Sequence, residues 1–330
     1  MQTAGTAPSA HATVLLREAV DALVLDPSGT YVDATFGRGG HSRAILSRLS
    51  PAGRLLALDR DPQAQECAAA WTDPRFAFVR APFSALPRVL GERASGPLAG
   101  LLLDLGISSP QIDEPARGFS LRADGPLDMR MDPDSGMDAA GWLAEADADE
   151  IRRVLREYGD ERFAAPIAKA IVARREAGRP PRTTLELAAI VASAIPGKSR
   201  KDPHQHPATR TFQAVRIFIN QELAELEVIL EASIGMLRPG GRLGVISFHS
   251  LEDRMVKRFI DLHGNPGRGY ARLPLREDQL PRPLLRAVAR IATSEEEIAA
   301  NPRSRSAILR VAERTAEPVP QPAPRGRRRG

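Results

Sequence analysis

Cysteine is almost absent from the chain, because Cys67 is the only cysteine among 330 residues. A single cysteine excludes an intramolecular disulfide bond and any zinc cluster built from cysteine ligands. We therefore expect no metal centre, and we predict that the protein works in a reducing, cytoplasmic compartment.

Long apolar runs are also missing. No uninterrupted apolar stretch approaches the ~20 residues that a membrane-spanning helix requires, so we expect no membrane association. The first ten residues, M-Q-T-A-G-T-A-P-S-A, contain neither a basic start nor an apolar segment, so we expect no signal peptide. Residues 1–10 are predicted to be a flexible lead.

Most of the chain lacks an excess of charge of either sign, although the formal net charge is +5. Four of these charges come from the tail arginines Arg325, Arg327, Arg328 and Arg329, which leaves about +1 for everything before them. The Pro-rich and Arg-rich segment 316–330 is predicted to be disordered. Contact with a nucleic acid therefore requires a local basic patch.

Such a patch lies at 197–216, where five basic residues accompany one aspartate. Lysine and arginine side chains neutralise phosphate groups, and they supply most of the affinity for a nucleic-acid backbone. The candidate RNA contacts are Lys198, Arg200, Lys201, His206, Arg210 and Arg216. A solvated basic loop is the alternative interpretation of the same residues.

The most informative stretch is Y-V-D-A-T-F-G-R-G-G-H at 31–41. It begins with strand-forming residues, continues into three glycines, and precedes an apolar-patterned helix predicted at 42–49. Glycine lacks Cβ, so the backbone turns tightly and approaches a ligand closely. A strand, a glycine turn and a helix N-terminus form a binding site at a sheet edge. A plain tight turn explains the glycines equally well.

Asp59 is the second signal, because it ends the apolar run at 55–58 and follows the glycine turn by about 20 residues. A nucleotide-binding strand–helix–strand unit places a carboxylate at this spacing, where it accepts hydrogen bonds from two ribose hydroxyls. The alternative role of Asp59 is to cap the helix that follows.

Strand and helix patterns alternate along the chain, which predicts the α/β class with a doubly wound, mostly parallel sheet. Parallel strands are predicted at 54–58, 76–79, 98–105 and 242–248, in addition to the strand before the glycine turn. A terminal strand pair is predicted at 284–291 and 307–312. One long amphipathic helix is predicted from Phe212 to Leu237, ended by the Pro-Gly-Gly of 239–241.

Between these parts the pattern is helical, and Thr183-x-x-Glu186 predicts a capping box at the start of one helix. We therefore predict an inserted loop and all-helical domain at 112–210, and we assign RNA recognition to it. The main domain is then discontinuous and consists of 11–111 and 211–315.

Two chemistries use such a sheet: hydride transfer with NAD(P) and methyl transfer from S-adenosylmethionine. The turn D-x-T-x-G-x-G is similar to the acid-x-G-x-G-x-G signature of class I (Rossmann-like) methyltransferases, with Thr35 in the first glycine position. The terminal strand pair and the L-R-P-G-G-R-L segment also favour that fold. An NAD(P)-dependent oxidoreductase is the alternative enzyme class, and a non-catalytic RNA-binding protein is the third interpretation.

Six segments in order extend the similarity: T-F-G-R-G-G-H-S, D-R-D-P, L-D-L-G-I-S-S-P-Q, D-G-P-L-D-M-R-M-D, H-P-A-T-R-T-F-Q-A-V-R-I and I-S-F-H-S-L-E-D-R. Together they resemble the ribosomal RNA small subunit methyltransferase H family, also called MraW, from about residue 11 to 315. The resemblance implies S-adenosylmethionine-dependent N4-methylation of one cytidine in the decoding region of 16S rRNA. The implied partner is therefore the small ribosomal subunit.

The resemblance also implies cofactor-binding residues at positions that match the family motifs: Gly39, Gly40, His41, Asp59, Phe83, Asp104 and Gln111. Phe83 is expected to pack on the adenine ring. Asp104 ends the fourth strand, where amino-methyltransferases place their acceptor motif, so it is also the candidate catalytic residue. Its carboxylate is expected to contact the cofactor, the target amine, or both.

Transfer to an exocyclic amine fits the residue chemistry, because it needs no covalent enzyme intermediate. Methylation at the ring carbon C5 would need a cysteine nucleophile, and Cys67 lies in a helical pattern away from the sheet-end motifs. The target base must be flipped out of its stack into a pocket, for which His249 and Ser250 after the fifth strand are candidates. The sequence does not decide between a monomer and a homodimer.

Overall fold

The structure, a computed structural model, describes residues 13–93, 96–197, 206–270, 276 and 279–319. The predicted flexible lead at 1–10 lies outside this described part, as does the predicted disordered segment 316–330 from residue 320 onward. The chain separates into two compact units. Unit 1 consists of Met1–Asp59, Ala64–Leu105 and Leu226–Gly330, and unit 2 consists of Arg60–Gln63 and Gly106–Glu225.

The strands all lie in unit 1. They are β1 (Thr30–Asp33), β2 (Arg54–Asp59), β3 (Phe76–Arg80), β4 (Leu98–Asp104), β5 (Leu237–Ser247), β6 (Leu285–Ala292) and β7 (Ile308–Arg314). Within the described residues they form a seven-stranded sheet in the order β3-β2-β1-β4-β5-β7-β6. Neighbours among the first five strands pair in parallel, whereas β7 is antiparallel to β5 and β6. The predicted mostly parallel sheet and its terminal strand pair are confirmed.

The helices alternate with the strands in unit 1 and follow one another in unit 2. They are α1 (Leu16–Leu23), α2 (Gly40–Arg48), α3 (Pro62–Ala69), α4 (Leu86–Glu92), α5 (Ser109–Asp113), α6 (Ala139–Glu145), α7 (Ala148–Gly159), α8 (Ala164–Glu176), α9 (Thr184–Ala194), α10 (Thr209–Ile219), α11 (Glu222–Met236), α12 (Ser250–Gly264) and α13 (Glu295–Ala300). No helix of the described chain combines the length and the apolar character needed to cross a membrane.

Successive side chains of the central strands enter two different hydrophobic clusters. Val32 and Leu103 pack with residues of α4, α11 and α12, whereas Tyr31 and Leu102 pack with residues of α1 and α2. Because side chains of a strand alternate between the two faces of the sheet, helices cover both faces. Burial on both faces explains why the sequences of the central strands are continuous apolar runs.

Strand β1 lies between β2 and β4, so the chain order reverses beside it. In open α/β sheets, ligands bind beyond the carboxyl ends of the strands at such a switch point. The carboxyl ends of these three strands carry Asp33, Asp59 and Asp104. The topology of unit 1 therefore defines where its functional site is expected.

Unit 2 has its own hydrophobic core, which includes Leu143, Val154, Ile167, Leu187 and Val215. The capping box predicted at α9 is confirmed, because the Thr183 and Glu186 side chains each bond the other's backbone N–H. Unit 2 is longer than the predicted insertion at 112–210. One reason is that α10 packs on α7: a Cβ at Gly159 would meet the Arg210 carbonyl and the Ala214 side chain.

The prediction of one long helix from Phe212 to Leu237 is wrong. Helix α10 ends at Ile219, and α11 begins at Glu222 after Gln221, whose φ is 52°. The buried Asn220 side chain accepts from Met131 N at 2.7 Å and donates to Met129 O at 2.7 Å. These tertiary hydrogen bonds fix the break between the two helices.

The boundary after α11 also differs from the prediction. The helix ends at Met236 and β5 begins at Leu237, so the Pro-Gly-Gly of 239–241 lies within the strand rather than before it. The pairing of β4 with β5 shifts register between Leu98 and Gly100, opposite this segment, and Gly240 has a φ of 78°. Strand β5 accommodates residues 239–241 through this irregularity in its pairing with β4.

Candidate functional site

The glycine turn follows β1, and Gly37 and Gly39 have φ angles of 54° and 77°, in the left-handed region. A Cβ at Gly39 would collide with the rings of Phe36 and Trp71, whereas a Cβ at Gly37 would meet open space. A Cβ at Gly40 would collide with the Thr13 hydroxyl. Backbone conformation therefore favours glycine at positions 37 and 39, and close packing requires it at 39 and 40.

Asp59 lies beside this turn at the end of β2. Its Oδ2 accepts a hydrogen bond from Gly37 N at 2.8 Å. The structure thus brings together the strand-end acid and the glycines that the sequence placed about 20 residues apart. The contact also fixes the orientation of the carboxylate relative to the turn.

Asp33, at the end of β1, is fully buried. Its Oδ2 accepts from Ser42 Oγ at 2.6 Å, and its Oδ1 accepts from Thr35 N at 3.2 Å. Burial raises the pKa of Asp33 to about 6, and the hydrogen bond from Ser42 opposes that rise. This carboxyl group therefore holds the glycine turn and the start of α2 together from inside unit 1.

Asp104 ends β4, and its backbone N–H donates to Thr35 Oγ1 at 2.6 Å. About 24% of the Asp104 side chain is exposed, yet its Oδ1 atom is shielded from solvent and has no hydrogen-bond partner. Burial raises the pKa of Asp104 well above its usual range, and the nearby Asp33 and Glu252 raise it further. An unpartnered buried carboxylate oxygen is costly, so this atom points to a ligand.

His41 is the neighbour of Asp104. Its Nδ1 lies 3.5 Å from Asp104 Oδ2, which is longer than a normal hydrogen bond, and its buried Nε2 has no partner. Burial lowers the pKa of His41 to about 4, and a hydrogen bond with the Val14 backbone opposes that change. His41 is therefore neutral at pH 7, so this contact is not an ion pair.

Phe83 opens a short 3-10 turn, Phe83–Ala85, after β3. Its ring is half-buried and packs against the larger hydrophobic cluster of unit 1. The ring therefore has part of its surface available for contact with a flat ligand.

Gln111 belongs to unit 2 and is almost fully buried there. Its Nε2 donates to Asp61 Oδ2 at 2.7 Å, and its Oε1 accepts from Ser108 N at 2.9 Å. Arg117 also donates to Asp61 Oδ2, at 2.9 Å. Both ends of the Gln111 amide are thus bonded within unit 2, and its predicted cofactor contact stays a prediction.

The predicted RNA contacts fall into separate groups. Lys198, Arg200 and Lys201 lie outside the described residues. His206 is exposed, and its Nδ1 accepts from Ala208 N at 3.1 Å. Arg210 is exposed and donates to the Asp160 carbonyl at 3.0 Å.

Arg216 is different, because its guanidinium donates to both carboxylate oxygens of Glu222, at 2.8 and 2.9 Å. Only 13% of its side chain is exposed. A phosphate contact by Arg216 would require this bidentate pair to open. The pair closes the turn between α10 and α11.

His249 and Ser250 stand at the start of α12 in unit 1. His249 is the N-cap, since its Nδ1 accepts from Glu252 N at 3.4 Å while the Glu252 carboxylate accepts from Phe248 N at 2.8 Å. Ser250 is exposed. The structure therefore gives His249 a capping role and leaves the Ser250 side chain at the surface.

Sequence reasoning missed the supporting residues Asp33, Thr35 and Ser42. In the sequence, Asp33 and Thr35 are only positions of a signature, although their alternation with Ala34 at the end of a strand is a usable signal. Ser42 carries no signal, because its hydroxyl reaches Asp33 only through the three-dimensional path of the glycine turn.

The residues of unit 1 fit the expected S-adenosylmethionine. Asp59 is an acceptor suited to vicinal ribose hydroxyls, and the half-exposed ring of Phe83 suits adenine. The unpartnered Oδ1 of Asp104 suits a cationic or N–H-bearing group. These properties are complementary to the ribose, adenine and positively charged parts of the cofactor.

Comparison with known proteins gives curated relatives that match the chain over nearly its full length. The chain is 60% identical over 316 residues to "Ribosomal RNA small subunit methyltransferase H" of Methylibium petroleiphilum, covering 94% of this chain and 97% of the relative. It is 57% identical over 309 residues to the protein of the same name from Burkholderia mallei, covering 93% and 98%. A solved rRNA methylase from Streptococcus thermophilus is 11% identical, with a TM-score of 0.38 and coverage of 91% and 93%.

A family model also matches most of the chain, from residue 8 to residue 315, and its description is "MraW methylase family". The match includes the strands, the glycine turn and the strand-end acids described above. The chain therefore belongs to the MraW methylase family, whose methyl donor is S-adenosylmethionine.

Proposed function

We propose that this enzyme methylates the exocyclic N4 of one cytidine in the decoding region of 16S rRNA, in the small ribosomal subunit. Membership of a methylase family removes the oxidoreductase alternative. The names of both relatives specify small-subunit rRNA, which supports the same substrate here. The enzyme then works in the cytoplasm, where ribosomal subunits are assembled.

The observation that carries the proposal is the shielded, unpartnered Oδ1 of Asp104. A cytosine amine carries N–H donors, and its lone pair is delocalised into the ring, which makes it a poor nucleophile. A carboxylate that accepts one N–H draws that lone pair back onto N4. Asp104 is therefore proposed as the catalytic acceptor.

The raised pKa of Asp104 describes the carboxyl group without a neighbouring positive charge. A positive charge placed within a few ångströms favours the ionised form and lowers the pKa again. S-adenosylmethionine, when bound, supplies an electrophilic methyl group on a positively charged sulfur. Asp104 is then able to accept a hydrogen bond from N4 as an anion.

Methyl transfer forms the N4–carbon bond, breaks the carbon–sulfur bond and leaves N4 with one proton to lose. Asp104 is proposed to accept that proton, and solvent is its final acceptor. His41 is neutral beside Asp104, so this side chain adds no positive charge next to the carboxylate. Most of the acceleration is expected from positioning and exclusion of water.

Phosphate contacts are proposed for unit 2. Besides Lys198, Arg200, Lys201, His206, Arg210 and Arg216, three arginines at the end of α8 and in the loop before α9 qualify: Arg174, Arg179 and Arg182. Their side chains are exposed and have no carboxylate partner in the described part of the chain. The bond from Arg179 N to Arg174 O, at 3.0 Å, connects Arg179, after the end of α8, to Arg174 in the last turn of that helix.

For the target base, we propose contacts from His249 and Ser250 after β5. The cap formed by His249 and Glu252 holds the first turn of α12 in one position. A fixed helix start suits a pocket for a flipped base, because the base is read by hydrogen bonds and stacking.

The proposal is tested by Asp104→Asn in a single-turnover assay with saturating S-adenosylmethionine and a small-subunit rRNA fragment. We expect the rate of methyl transfer to fall by about 100-fold or more, as for loss of a catalytic acid–base group. Asp253→Asn is the matched control. Asp253 lies on α12, and its carboxylate is already paired with Arg310 at 2.7 Å. If Asp104→Asn only weakens cofactor binding and leaves the saturated rate unchanged, Asp104 serves the cofactor alone.

A further inference from the structure

Helix α1 begins without a cap from its own sequence. Its N-cap residue, Leu15, has a φ of 50° and makes no side-chain capping hydrogen bond. A left-handed conformation is unfavourable for a residue with a side chain. Such a conformation persists only where the surrounding structure holds it.

Glu297, which lies 282 positions later in the chain, supplies the missing contact. Its Oε1 accepts from Leu15 N at 2.7 Å. Glu297 stands on α13, where Ser294 Oγ accepts from Glu297 N at 3.1 Å and the Glu297 carbonyl accepts from Asn301 N at 2.7 Å. A carboxylate held this way at a helix N-terminus acts as a cap provided by another element.

Helix α13 is itself tied to the sheet. The fully buried Ser304 follows it, and its carbonyl accepts from Ala307 N at 2.8 Å, directly before β7. Thr293 Oγ1, at the end of β6, donates to the same Ser304 carbonyl at 3.0 Å. Glu297 therefore projects from a short helix that is fixed at both ends to the antiparallel strands of unit 1.

The segment that Glu297 holds borders the cofactor site. The Thr13 hydroxyl occupies the space that a Cβ at Gly40 would need, and the Val14 backbone lies close enough to the buried His41 ring to raise its pKa. His41 Nδ1 in turn lies 3.5 Å from Asp104 Oδ2. This series of contacts connects Glu297, through residues 13–15, to His41 and Asp104, which each have a shielded atom without a hydrogen-bond partner.

We propose that Glu297 is a positioning residue for the methyl-donor site. By capping α1, it fixes the segment 13–15 against Gly40 and His41, and so holds the His41 ring beside Asp104. The residue does not touch the donor, and its effect is transmitted through the backbone of Val14 and Leu15. This role concerns donor binding and is independent of which RNA atom is methylated.

The test compares Glu297→Ala with Glu297→Gln in the full chain, by calorimetric titration with S-adenosylmethionine. Alanine removes the acceptor, and we expect an affinity about five-fold weaker, the factor that corresponds to a lost cap. Glutamine keeps an oxygen at the same reach, and we expect it to restore most of the affinity. Glu296→Ala, an exposed neighbour on α13, is the control and should bind the donor as the unchanged protein does.

Two further measurements separate positioning from general destabilisation. The ¹⁵N resonances of the His41 ring should move in Glu297→Ala and not in Glu296→Ala. In the unchanged protein, binding of S-adenosylmethionine should slow hydrogen exchange at Leu15 N, because coupling between two sites is reciprocal. The hydrogen-exchange measurement uses the unchanged protein, so its result does not depend on whether a variant folds.

The proposal is overturned if Glu297→Ala binds the donor normally with an unchanged His41 signal. It is equally overturned if Glu297→Gln fails to restore binding, or if Glu296→Ala weakens binding as much as Glu297→Ala does. The same holds if the hydrogen-exchange rate at Leu15 N does not change when the donor binds.

Discussion

The backbone N–H of Asp104 donates to the side-chain oxygen of Thr35 at 2.6 Å, and this bond joins the ends of two neighbouring strands. Thr35 N in turn donates to the buried Asp33 Oδ1 at 3.2 Å. Thr35 therefore links the carboxyl group that holds the glycine turn to the backbone that carries the catalytic candidate. The residue in the first glycine position of the signature has a structural reason to be threonine.

Replacing Thr35 tests this link. Thr35→Val removes the acceptor and leaves the Asp104 N–H without a partner, which is expected to cost about 1–3 kcal/mol of unfolding free energy. Affinity for S-adenosylmethionine should fall as well, because Asp104 is no longer held in place. Urea unfolding and calorimetry measure the two effects, and Thr35→Ser should lose much less of both. If the Thr35→Val variant bound the donor as tightly as the unchanged protein, the hydrogen bond between Asp104 N and Thr35 would be unimportant for the site.

The raised pKa of Asp33 has a consequence for stability. The native state holds the Asp33 proton more tightly than the unfolded state, whose pKa is near 3.8. The contribution of this group to the unfolding free energy therefore decreases as pH rises from about 4 to about 6. Above that range the native state carries a buried charge and the contribution stays at its lower value.

Asp33→Asn removes this titration. Between pH 4 and pH 6, the unfolding free energy of the variant minus that of the unchanged protein should increase by up to about 3 kcal/mol. The comparison uses the difference between the two proteins, because the lowered pKa of His41 changes stability in the opposite direction over an overlapping range. A difference that is constant across this range would contradict the assignment.

The arginines at the end of α8 and in the loop before α9 give a prediction for RNA binding. Replacement of Arg174, Arg179 and Arg182 by alanine should weaken binding of a small-subunit rRNA fragment. It should also reduce the slope of log affinity against log salt by roughly 0.7–0.9 for each lost phosphate contact. Binding of S-adenosylmethionine should not change, since that site lies in unit 1.

Arg175, in the last turn of α8, is the matched comparison. Its guanidinium donates to the carbonyls of Leu143 and Ala146, at 3.2 and 2.7 Å, so it is used within unit 2. Arg175→Ala should therefore destabilise unit 2 while leaving the salt slope almost unchanged. An equal loss of salt slope in Arg175→Ala and in the triple variant would argue against a specific phosphate surface.

The sequence was sufficient for the parts of the fold that depend on local pattern. Buried parallel strands are apolar on both faces, so β2, β4 and β5 stand out as continuous runs. Glycines that need positive φ and an acid at the end of the next strand mark the switch point of the sheet. For this reason the pattern of residues alone is enough to place Gly37, Gly39 and Asp59 together.

The break between α10 and α11 could not be predicted in this way. Apolar spacing continues across Phe218, Ile219 and Leu223, and the helix is interrupted only because the Asn220 side chain bonds backbone groups some 90 residues away. Similarly, the unpartnered atoms of His41 and Asp104 arise from burial, which a sequence does not record. Long-range contacts of polar side chains are thus what sequence pattern leaves undetermined.

The central claim is that the strand ends of unit 1 hold a methyl donor for transfer to a cytidine amine. The most direct measurement is mass-spectrometric mapping of a small-subunit rRNA fragment after incubation with the purified protein and S-adenosylmethionine carrying a labelled methyl group. We expect one labelled methyl group, on N4 of a single cytidine in the decoding region. Label on a ring carbon or a ribose hydroxyl, or no label at all, would contradict it.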